Sequence, residues 1–380
     1  MNFRWSAAEQ AFRARIIDFL RTELPDDWDQ VSRHGPGSRE QTEFSLKFCP
    51  RLGDAGLLVP HWPKEYGGQG GSVWEHQILG EEMWAAGEPR GPQYMNVNWI
   101  GPTLMQVGTE EQKQRYLRPM AQGKAIWCQG FSEPSAGSDL FALRTSAERD
   151  GDSFVINGTK IWTSYAALAD HCFLLARTGG KRKEGLCIFL VDMALHGISV
   201  RPIPSLVGEG DIHEMFFQDV VVPRAAMLGE EGQAGSIIKF ALGNERVGIP
   251  RYELSRRTLD AAVEHLKELG LWRDEHIRFR AGQAFAACEA ARVLVYQVVD
   301  QRARGMPPSA DASLARVAVV SADHAVANFA LEFLPDSFVT NDLLVLKRQH
   351  ERAIASGIAS GAAEVQLDIV AASHLHLPRA

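Results

Sequence analysis

The stretch WCQGFSEPSAGSDL at 127–140 concentrates aromatic rings, hydroxyls and two tight turns in a short segment. A Ser-Glu-Pro turn is followed closely by an Ala-Gly-Ser-Asp turn. Hydroxyls and backbone amides can bind the polar edge of a flat ring system while aromatic side chains cover its apolar face. The same residue types also cap ordinary turns and fill cores. The stretch alone therefore leaves a ring-binding site and plain turn chemistry both open.

Length, composition and charge are those of a multidomain globular protein. A chain of 380 residues exceeds what one compact core usually supports, so two or three domains are expected. Apolar residues make up 45% and charged residues 23% of the chain. The formal net charge of -7 argues against a nucleic-acid partner. The basic run GGKRKEG at 179–185 lies between apparent strands and indicates a solvated hairpin loop.

The cysteines and the N-terminus indicate the compartment. Five cysteines are scattered along the chain, which suits free thiols in a reducing cytoplasm better than a disulfide framework. No cysteine or histidine pair has the spacing of zinc ligands, so we expect no metal site. The N-terminal stretch carries charges throughout and lacks a signal-peptide core. No run approaches eighteen apolar residues, and we expect a cytoplasmic protein without a membrane span.

The first third of the chain predicts helices. Ser6 is a candidate N-cap, and Glu9 stands three residues later in the position of a capping box. Apolar residues then recur at helical spacing. Three further helices are indicated by EFSLKFCPRLGDAG, SVWEHQILGEEMWAAG and EEQKQRYLRPMAQG, each closed by a glycine.

Short β-rich segments begin near residue 125. The segment RTSAERDGDSFVINGTKIWTS holds an Asp-Gly and an Asn-Gly pair among alternating apolar residues. Such pairs predict hairpin turns, because those turns need positive φ. Further short strands are indicated by HCFLLART, LCIFLVDM, ISVRPI and EMFFQDVVV. The middle third therefore predicts a small antiparallel β domain.

Helical periodicity returns after LGEEGQAG at 228–235 and persists to the end. Pro250 interrupts a segment that is too long for one straight helix, so it predicts a kink or a new start. The order α, β, α is not that of an alternating βαβ chain. We assign an N-terminal helical domain to 1–123, a middle β domain to 124–228 and a C-terminal helical bundle to 229–380.

Several segments, taken in order, resemble the acyl-CoA dehydrogenase family over the whole chain. They are LGDAGLLVPHWPKEYGGQGGS, GPTLMQVGTEEQKQRYL, WCQGFSEPSAGSDLFALRTSA, INGTKIWTSYAALADHCFLLART, EMFFQDVVVPRAAMLGEEGQAG and NERVG. No single segment is specific, whereas their order and spacing together are. The resemblance implies an α+β multidomain fold with an N-terminal helical domain, a middle antiparallel β domain and a C-terminal four-helix bundle.

The resemblance also implies a cofactor, a reaction and partners. FAD would lie between the β domain and the last bundle. The expected oxidoreductase reaction removes a proton from Cα and a hydride from Cβ of an acyl-CoA thioester, which leaves a trans-2-enoyl-CoA. Electrons would pass to an electron-transferring flavoprotein. Family members are usually dimers of dimers, in which a neighbouring subunit completes each flavin site.

The first motif supplies four candidate site residues when it is matched to the family. Gln129, Phe131 and Ser132 would contact the flavin, with Ser132 as a hydrogen-bond donor toward the ring. Ser138, in the Ala-Gly-Ser-Asp turn, would lie where the acyl-CoA enters.

The second motif supplies three more flavin contacts. Trp162 would cover the ring, with Thr163 and Ser164 at its edge near N5. Farther along the chain, Arg278 would be the arginine lent to the pyrophosphate of a neighbour's FAD, although Arg280 could be its equivalent.

The base that takes the Cα proton has two possible positions in the family. Many relatives carry a glutamate before the Gly-Thr of a C-terminal turn, but Ser360 stands there in this chain and cannot take the proton unaided. A second group uses a glutamate next to an arginine on a C-terminal-domain helix. We therefore predict Glu245 as the base, with Arg246 as its neighbour. The alternative is that the two form an exposed charged pair on a helix.

The environment of that base matters as much as its identity. Hydrogen bonds to the thioester carbonyl would stabilise the negative charge that develops there. Exclusion of water would make a carboxylate a stronger base.

The sequence departs from the family pattern in its last sixty residues. The usual Gly-Gly-Thr turn that touches the flavin is replaced by Ser360-Gly361-Ala362, which lacks the threonine hydroxyl. A segment that carries a glycine turn in relatives and reaches a neighbour's FAD reads NFALEFLPDSF here. The flavin-binding motifs of the β domain are thus present. The C-terminal segments that would contact the FAD of a neighbouring subunit are altered.

These departures leave three functions open. The first is a self-sufficient flavin-dependent acyl-CoA dehydrogenase, active as a homotetramer in fatty acid degradation. The second is a subunit of a heterotetramer, paired with a paralogous chain whose flavin site it completes, as in bacterial relatives that act on steroid side-chain CoA esters. The third is an acyl-CoA oxidase or nitroalkane oxidase on the same fold.

Overall fold

The computed structural model describes residues 5–180, 184–206, 212–247, 250–340 and 343–378. Two compact units form within the chain. The helical unit comprises Met1–Pro36, Gly71–Pro89 and Arg246–Ala380, and the sheet unit comprises Gly37–Gly70 and Arg90–Glu245. The predicted α+β architecture, with helices at both ends of the chain and a sheet in its middle, is confirmed. The three-domain boundaries at 123/124 and 228/229 stay a prediction.

In the described residues the helices are α1 (Ala7–Glu23), α2 (Trp28–Ser32), α3 (Arg39–Asp54), α4 (Val73–Ala85), α5 (Gly101–Val107), α6 (Glu110–Ala121), α7 (Ala234–Val247), α8 (Arg251–Glu268), α9 (Glu275–Ala303), α10 (Asp311–Phe333), α11 (Asp336–Thr340), α12 (Leu344–Ser356) and α13 (Ala363–Ser373). A π-helical segment, Asn96–Ile100, precedes α5 directly.

The helix signals in the sequence act as expected at both ends of the N-terminal helices. Ser6 accepts a hydrogen bond from the amide of Glu9, whose carboxylate accepts one from the amide of Ser6, so the predicted capping box is confirmed. Gly56, Gly87 and Gly123 follow α3, α4 and α6 with φ of 68°, 84° and 64°. Glycine adopts this left-handed backbone without the steric cost that a Cβ brings, and it ends each helix.

The core of the helical unit is built by α8, α9 and α10, with α12 packed against α10. Pro250 lies between α7 and α8 and is the N-cap of α8, so the predicted new start is confirmed; residues 248 and 249 lie outside the described part. Of the described helices, α10 alone has the length and composition to cross a membrane, and half of its most apolar window is buried inside the protein.

The described strands are β1 (Trp127–Gly130), β2 (Ser146–Asp150), β3 (Ser153–Ser164), β4 (His171–Arg177), β5 (Leu186–Asp192), β6 (Ile198–Pro202), β7 (Ile212–Pro223) and β8 (Met227–Leu228). They form one sheet in the order β6-β7-β3-β2-β4-β5-β8, with β1 also paired to β4. Pairing is antiparallel except where β1 and β2 run parallel to β4. All five cysteines of the chain are free thiols, as predicted, and all five are buried.

One predicted turn is real and the other is not. Gly151, with φ of 57°, turns the chain between β2 and β3. The predicted turn at Asn157 and Gly158 is wrong, because β3 continues through both residues with a register shift. The Asn157 side chain instead exchanges hydrogen bonds of 3.0 and 2.9 Å with Asp219. A Cβ at Gly158 would lie 2.5 Å from Oγ1 of Thr145, so glycine is needed here for close packing.

The basic run at 179–185 lies between β4 and β5, which pair antiparallel. The amide of Thr178 donates to the carbonyl of Gly185 over 2.8 Å, which closes the connection. Residues 181–183 of the predicted hairpin loop lie outside the described part.

Candidate active site

The first motif begins on β1 and continues into the tight turn that follows it. Gln129 is half-buried on β1, and Ser132 is half-buried one residue before the turn. Phe131 is only 4% exposed, and its ring stacks on Phe173 with centroids 5.6 Å apart. Ser138 is exposed in the second turn. Because its ring is buried, Phe131 can offer a ligand only its backbone, whereas the two serines can offer their hydroxyls.

The second motif ends β3, at a bulge. The register of β3 against β7 shifts between Lys160 and Thr163, and Trp162 adopts a φ of 61° with 57% of its surface exposed. A β-bulge changes the direction in which a side chain points. Positive φ is rare for a bulky residue, because its backbone is then sterically strained. Thr163 is buried, and its hydroxyl has no hydrogen-bond partner among the described residues, whereas Ser164 is half-buried.

The structure brings these two motifs together. The amide of Ile161 donates to the carbonyl of Ser132 over 2.9 Å. The Nζ of Lys160 donates to the carbonyl of Phe131 over 3.1 Å. The turn after β1 is thus bonded to the two residues that immediately precede Trp162.

Two residues of this site, Glu133 and Lys160, are absent from the sequence prediction. The Nζ of Lys160 lies 2.8 Å from Oε1 of Glu133, and both side chains are buried. Burial lowers the pKa of Lys160, and Glu133 opposes this shift. Burial would raise the pKa of Glu133, but Lys160 and hydrogen bonds from Thr145 and Arg144 hold that pKa below its ordinary value. In the sequence each of these two residues looks like an ordinary surface charge, so no local signal marks the pair.

The predicted base lies on the buried face of α7. Buried residues recur on this helix at helical spacing: Ala234, Ile237, Ile238, Ala241 and Glu245. Glu245 is only 9% exposed, so it is not an exposed surface charge. It belongs to the sheet unit, and the half-buried Arg246 belongs to the helical unit. Its role as the base stays a prediction.

The two arginines proposed for a neighbour's pyrophosphate have different partners. Arg280 makes a two-point ion pair with Glu332 of α10, at 2.9 and 2.8 Å. Arg278 is exposed at the start of α9, where its guanidinium donates to the carbonyls of Trp272 and Arg273 at 3.2 and 2.8 Å. Arg278 also lies 3.8 Å from Glu275, a looser contact than the two-point pair of Arg280, so Arg278 remains the better candidate.

The altered C-terminal turn is held from within the helical unit. Ser360 has a φ of 56° and Gly361 a φ of 90°. The guanidinium of Arg316 donates to the carbonyls of Ser356 and Ala359 at 2.5 and 3.0 Å. The segment at 334–336 separates α10 from α11, and residues 341 and 342 lie outside the described part.

The sheet-unit residues fit an isoalloxazine ring. An exposed indole offers an apolar face, and the half-buried Ser132 and Ser164 offer hydroxyls. A flat ring with polar edges requires this combination. No group of three or more histidine, cysteine, aspartate or glutamate side chains in the described ranges is placed to hold a metal ion.

Three family models match the chain in sequence order. They are the acyl-CoA dehydrogenase N-terminal domain over residues 6–124, the middle domain over 128–220 and the C-terminal domain over 235–375. Acyl-CoA dehydrogenase IpdE1 of Mycobacterium tuberculosis is 31% identical over 97% of this chain and 98% of its own length.

Solved structures share the fold along the whole chain. The structure described as "Tcur3481-Tcur3483 steroid ACAD" is 31% identical with a TM-score of 0.88 and covers 100% of both chains. The ChsE4-ChsE5 complex from Mycobacterium tuberculosis is 28% identical with a TM-score of 0.87, again over 100% of both chains.

Proposed function

The chain belongs to the acyl-CoA dehydrogenase family, and on this premise we propose that it converts an acyl-CoA thioester to a trans-2-enoyl-CoA with FAD as its cofactor. The observation that carries the proposal is the exposed indole of Trp162 in left-handed backbone, in the segment bonded to Ser132. Backbone strain of this kind concentrates at ligand sites.

The residues of the sheet unit would hold the ring. Trp162 would cover one face, and the hydroxyls of Ser132 and Ser164 would donate to the polar edge. Gln129 and the backbone of Phe131 would line the side of the ring next to β1. When bound, FAD supplies the acceptor for the hydride that leaves Cβ.

The chain's own part in the chemistry is the removal of the Cα proton. Glu245 would accept that proton on a carboxylate oxygen, and the electrons of the Cα–H bond would form the α,β double bond as the Cβ hydride departs. Its buried position on α7 supports the assignment, because the base must work away from bulk water. Arg246 follows it directly on the helix. Ser138 would contact the entering thioester.

We propose an acyl-CoA ester with a bulky, steroid-type acyl group as the substrate class. The support is the steroid ACAD structure, which matches this chain over its full length. The proposed electron acceptor is an electron-transferring flavoprotein, the usual partner implied by the family resemblance, and the proposed location is the cytoplasm.

We also propose that the chain works in a heterotetramer with a paralogous subunit. The steroid ACAD structure is named for two chains, Tcur3481-Tcur3483, and a second structural relative is described as the ChsE4-ChsE5 complex. The turn at Ser360-Gly361-Ala362 lacks the hydroxyl that the family pattern places there. Large apolar side chains are exposed on the helical unit, which suits a protein interface: Phe279, Leu331, Val339 and Ile358. Arg278 would be the residue that this chain contributes to the partner's FAD.

The test is spectroscopic and uses the full-length protein together with any subunit that co-purifies with it. A visible flavin band is recorded, and acyl-CoA esters of short, long and steroid type are added without oxygen. We expect the band to bleach with the steroid type and to persist in Glu245→Gln. The matched control is Glu364→Gln, which removes an exposed carboxylate of α13 and should bleach like the wild type.

The outcomes of this test distinguish the competing functions and check the assigned base. A protein without a flavin band, alone and with its partner, contradicts the proposal. Bleaching by the chain alone assigns a self-sufficient enzyme and removes the heterotetramer. Rapid return of the band in air, with release of hydrogen peroxide, identifies an oxidase. Bleaching that survives in Glu245→Gln shows that another group is the base.

A further inference from the structure

Lys160 is a buried ammonium group at an inward-facing position of β3. The other inward positions before it, Phe154 and Ile156, are apolar core residues. Lys160 has no exposed surface at all. A buried lysine stays protonated only when an opposite charge and hydrogen bonds replace the water that solvated its ammonium group.

The partners of Lys160 lie in and beside the turn after β1. Its Nζ donates to Oε1 of Glu133 over 2.8 Å and to the carbonyl of Phe131 over 3.1 Å. Glu133 also accepts from the amide of Arg144 at 2.6 Å and from the amide and hydroxyl of Thr145 at 2.9 and 2.6 Å. The carboxylate is therefore fully engaged, and it connects the turn after β1 to the start of β2.

The same turn is bonded to β3 at the next residue. Because Ile161 donates to the carbonyl of Ser132 over 2.9 Å, residues 131 to 133 are all bonded to residues 160 and 161. Trp162 follows at once, in its strained backbone. These bonds link the turn that carries Ser132 to the segment that carries Trp162.

We propose that Lys160 is the positioning residue of the flavin site, a role that rests on the proposed function. It acts through its bonds to Phe131 and Glu133. Through them it sets the position of the Ser132 hydroxyl relative to the ring of Trp162. It has no exposure to substrate, so it takes no part in proton transfer. A purely structural role would predict that only the stability of the fold depends on it.

The experiment separates positioning from stability with a paired substitution. Lys160→Met alone leaves Glu133 charged and buried, so it should destabilise the fold. The double variant Lys160→Met/Glu133→Gln removes both charges and should recover most of that stability. It still lacks the bond to the Phe131 carbonyl. We expect its dissociation constant for FAD to rise by about tenfold or more, with a shifted visible band and altered circular dichroism of the bound flavin.

The control is a partly buried ion pair outside the sheet unit. Arg13 and Glu81 lie 2.5 Å apart in the helical unit, and Glu81 is almost fully buried. Arg13→Met/Glu81→Gln should change the stability of the fold and leave the flavin affinity and spectrum unchanged. A tenfold loss of affinity in this control would make the Lys160 effect nonspecific and overturn the proposal.

The remaining outcomes are equally decisive. A double variant of Lys160 and Glu133 with wild-type affinity and spectrum overturns the positioning role and leaves the proposed function intact. A double variant that does not fold also overturns it, because Lys160 is then needed for folding itself. Wild-type protein that binds no FAD, alone or with its partner, defeats the proposed function first, and this inference with it.

Discussion

The indole Nε1 of Trp99 donates a hydrogen bond of 2.7 Å to Oε1 of Gln129. Trp99 is buried in the π-helical segment before α5, and Gln129 is a candidate flavin contact on β1. Tyr94 packs edge-on against both Trp99 and Tyr165, at centroid distances of 5.8 and 6.4 Å. π-Helical segments are rare and frequent at functional sites. This one fixes the orientation of a side chain that would line the ring.

Substituting Trp99→Phe should therefore affect both stability and flavin binding. The loss of one hydrogen bond to a half-buried amide costs about 1 kcal/mol, and the freed Gln129 should weaken FAD binding roughly fivefold. Trp127→Phe is the matched control, because the buried indole nitrogen of Trp127 has no hydrogen-bond partner among the described residues. Urea unfolding and FAD titration of both variants provide the comparison. Equal losses of stability and affinity in both variants would contradict the prediction.

Local signals predicted the helix ends because the atoms that satisfy them are close in sequence. The capping box of Ser6 and Glu9 needs only residues three apart, and the glycine after α3 needs only its own backbone freedom. The Asn157-Gly158 pair fails for the opposite reason. Its side-chain partner is Asp219, 62 residues away, and no local rule anticipates that contact.

The residues of the candidate site also differ in how far their partners lie along the sequence. The motif residues Ser132 and Trp162 could be found from the family resemblance, because the motifs are short. The buried pair of Lys160 and Glu133 could not, since each residue alone looks like a surface charge. Only the pairing of β3 with its neighbours and the return of the turn show that the two charges meet.

The strain at Trp162 can be separated from the function of its ring. Glycine at this position removes both the ring and the steric cost of positive φ, whereas alanine removes the ring and keeps the cost. Flavin-free Trp162→Gly should therefore be about 1 kcal/mol more stable than Trp162→Ala in urea unfolding. Both variants should bind FAD more weakly, and the FAD they do bind should fluoresce more strongly without the quenching indole. Wild-type affinity in Trp162→Ala would remove Trp162 from the ring site.

Arg278 and Arg280 offer a matched pair on the same helix. Arg280→Met breaks the two-point ion pair with Glu332, whose partly exposed partners contribute about 0.5–1 kcal/mol to stability. It should leave the flavin content of the assembled protein unchanged. Arg278→Met removes the same charge without breaking that pair, and it should lower the flavin content. It also removes the exposed hydrogen bonds to the carbonyls of Trp272 and Arg273, so its unfolding curve should shift by no more than that of Arg280→Met. The reverse result would reassign the pyrophosphate contact to Arg280.

The helical unit contains a charged cavity of about 240 Å³ that has no place in the proposed reaction. The charged groups that line it are Arg13, Glu81, Glu82, Glu253, Arg256, Glu289 and Arg292. Arg13 lies 2.5 Å from Glu81 and 2.9 Å from Glu82. Burial, followed by the charges of Glu81 and Glu82, raises the pKa of Glu253 from 4.5 to about 7.

This pKa makes the stability of the protein depend on pH. Between pH 4.5 and 7 folded Glu253 holds a proton that the unfolded chain has lost, so its contribution to stability grows as the pH falls through 7. Glu253→Gln should therefore stabilise the protein above pH 7, by about 2 kcal/mol after allowance for partial exposure, and have little effect near pH 4.5. The control is Glu264→Gln, an exposed carboxylate on α8. Urea unfolding of wild type and both variants from pH 4.5 to 8 measures the difference, and a gain that does not vary with pH would show that Glu253 titrates normally.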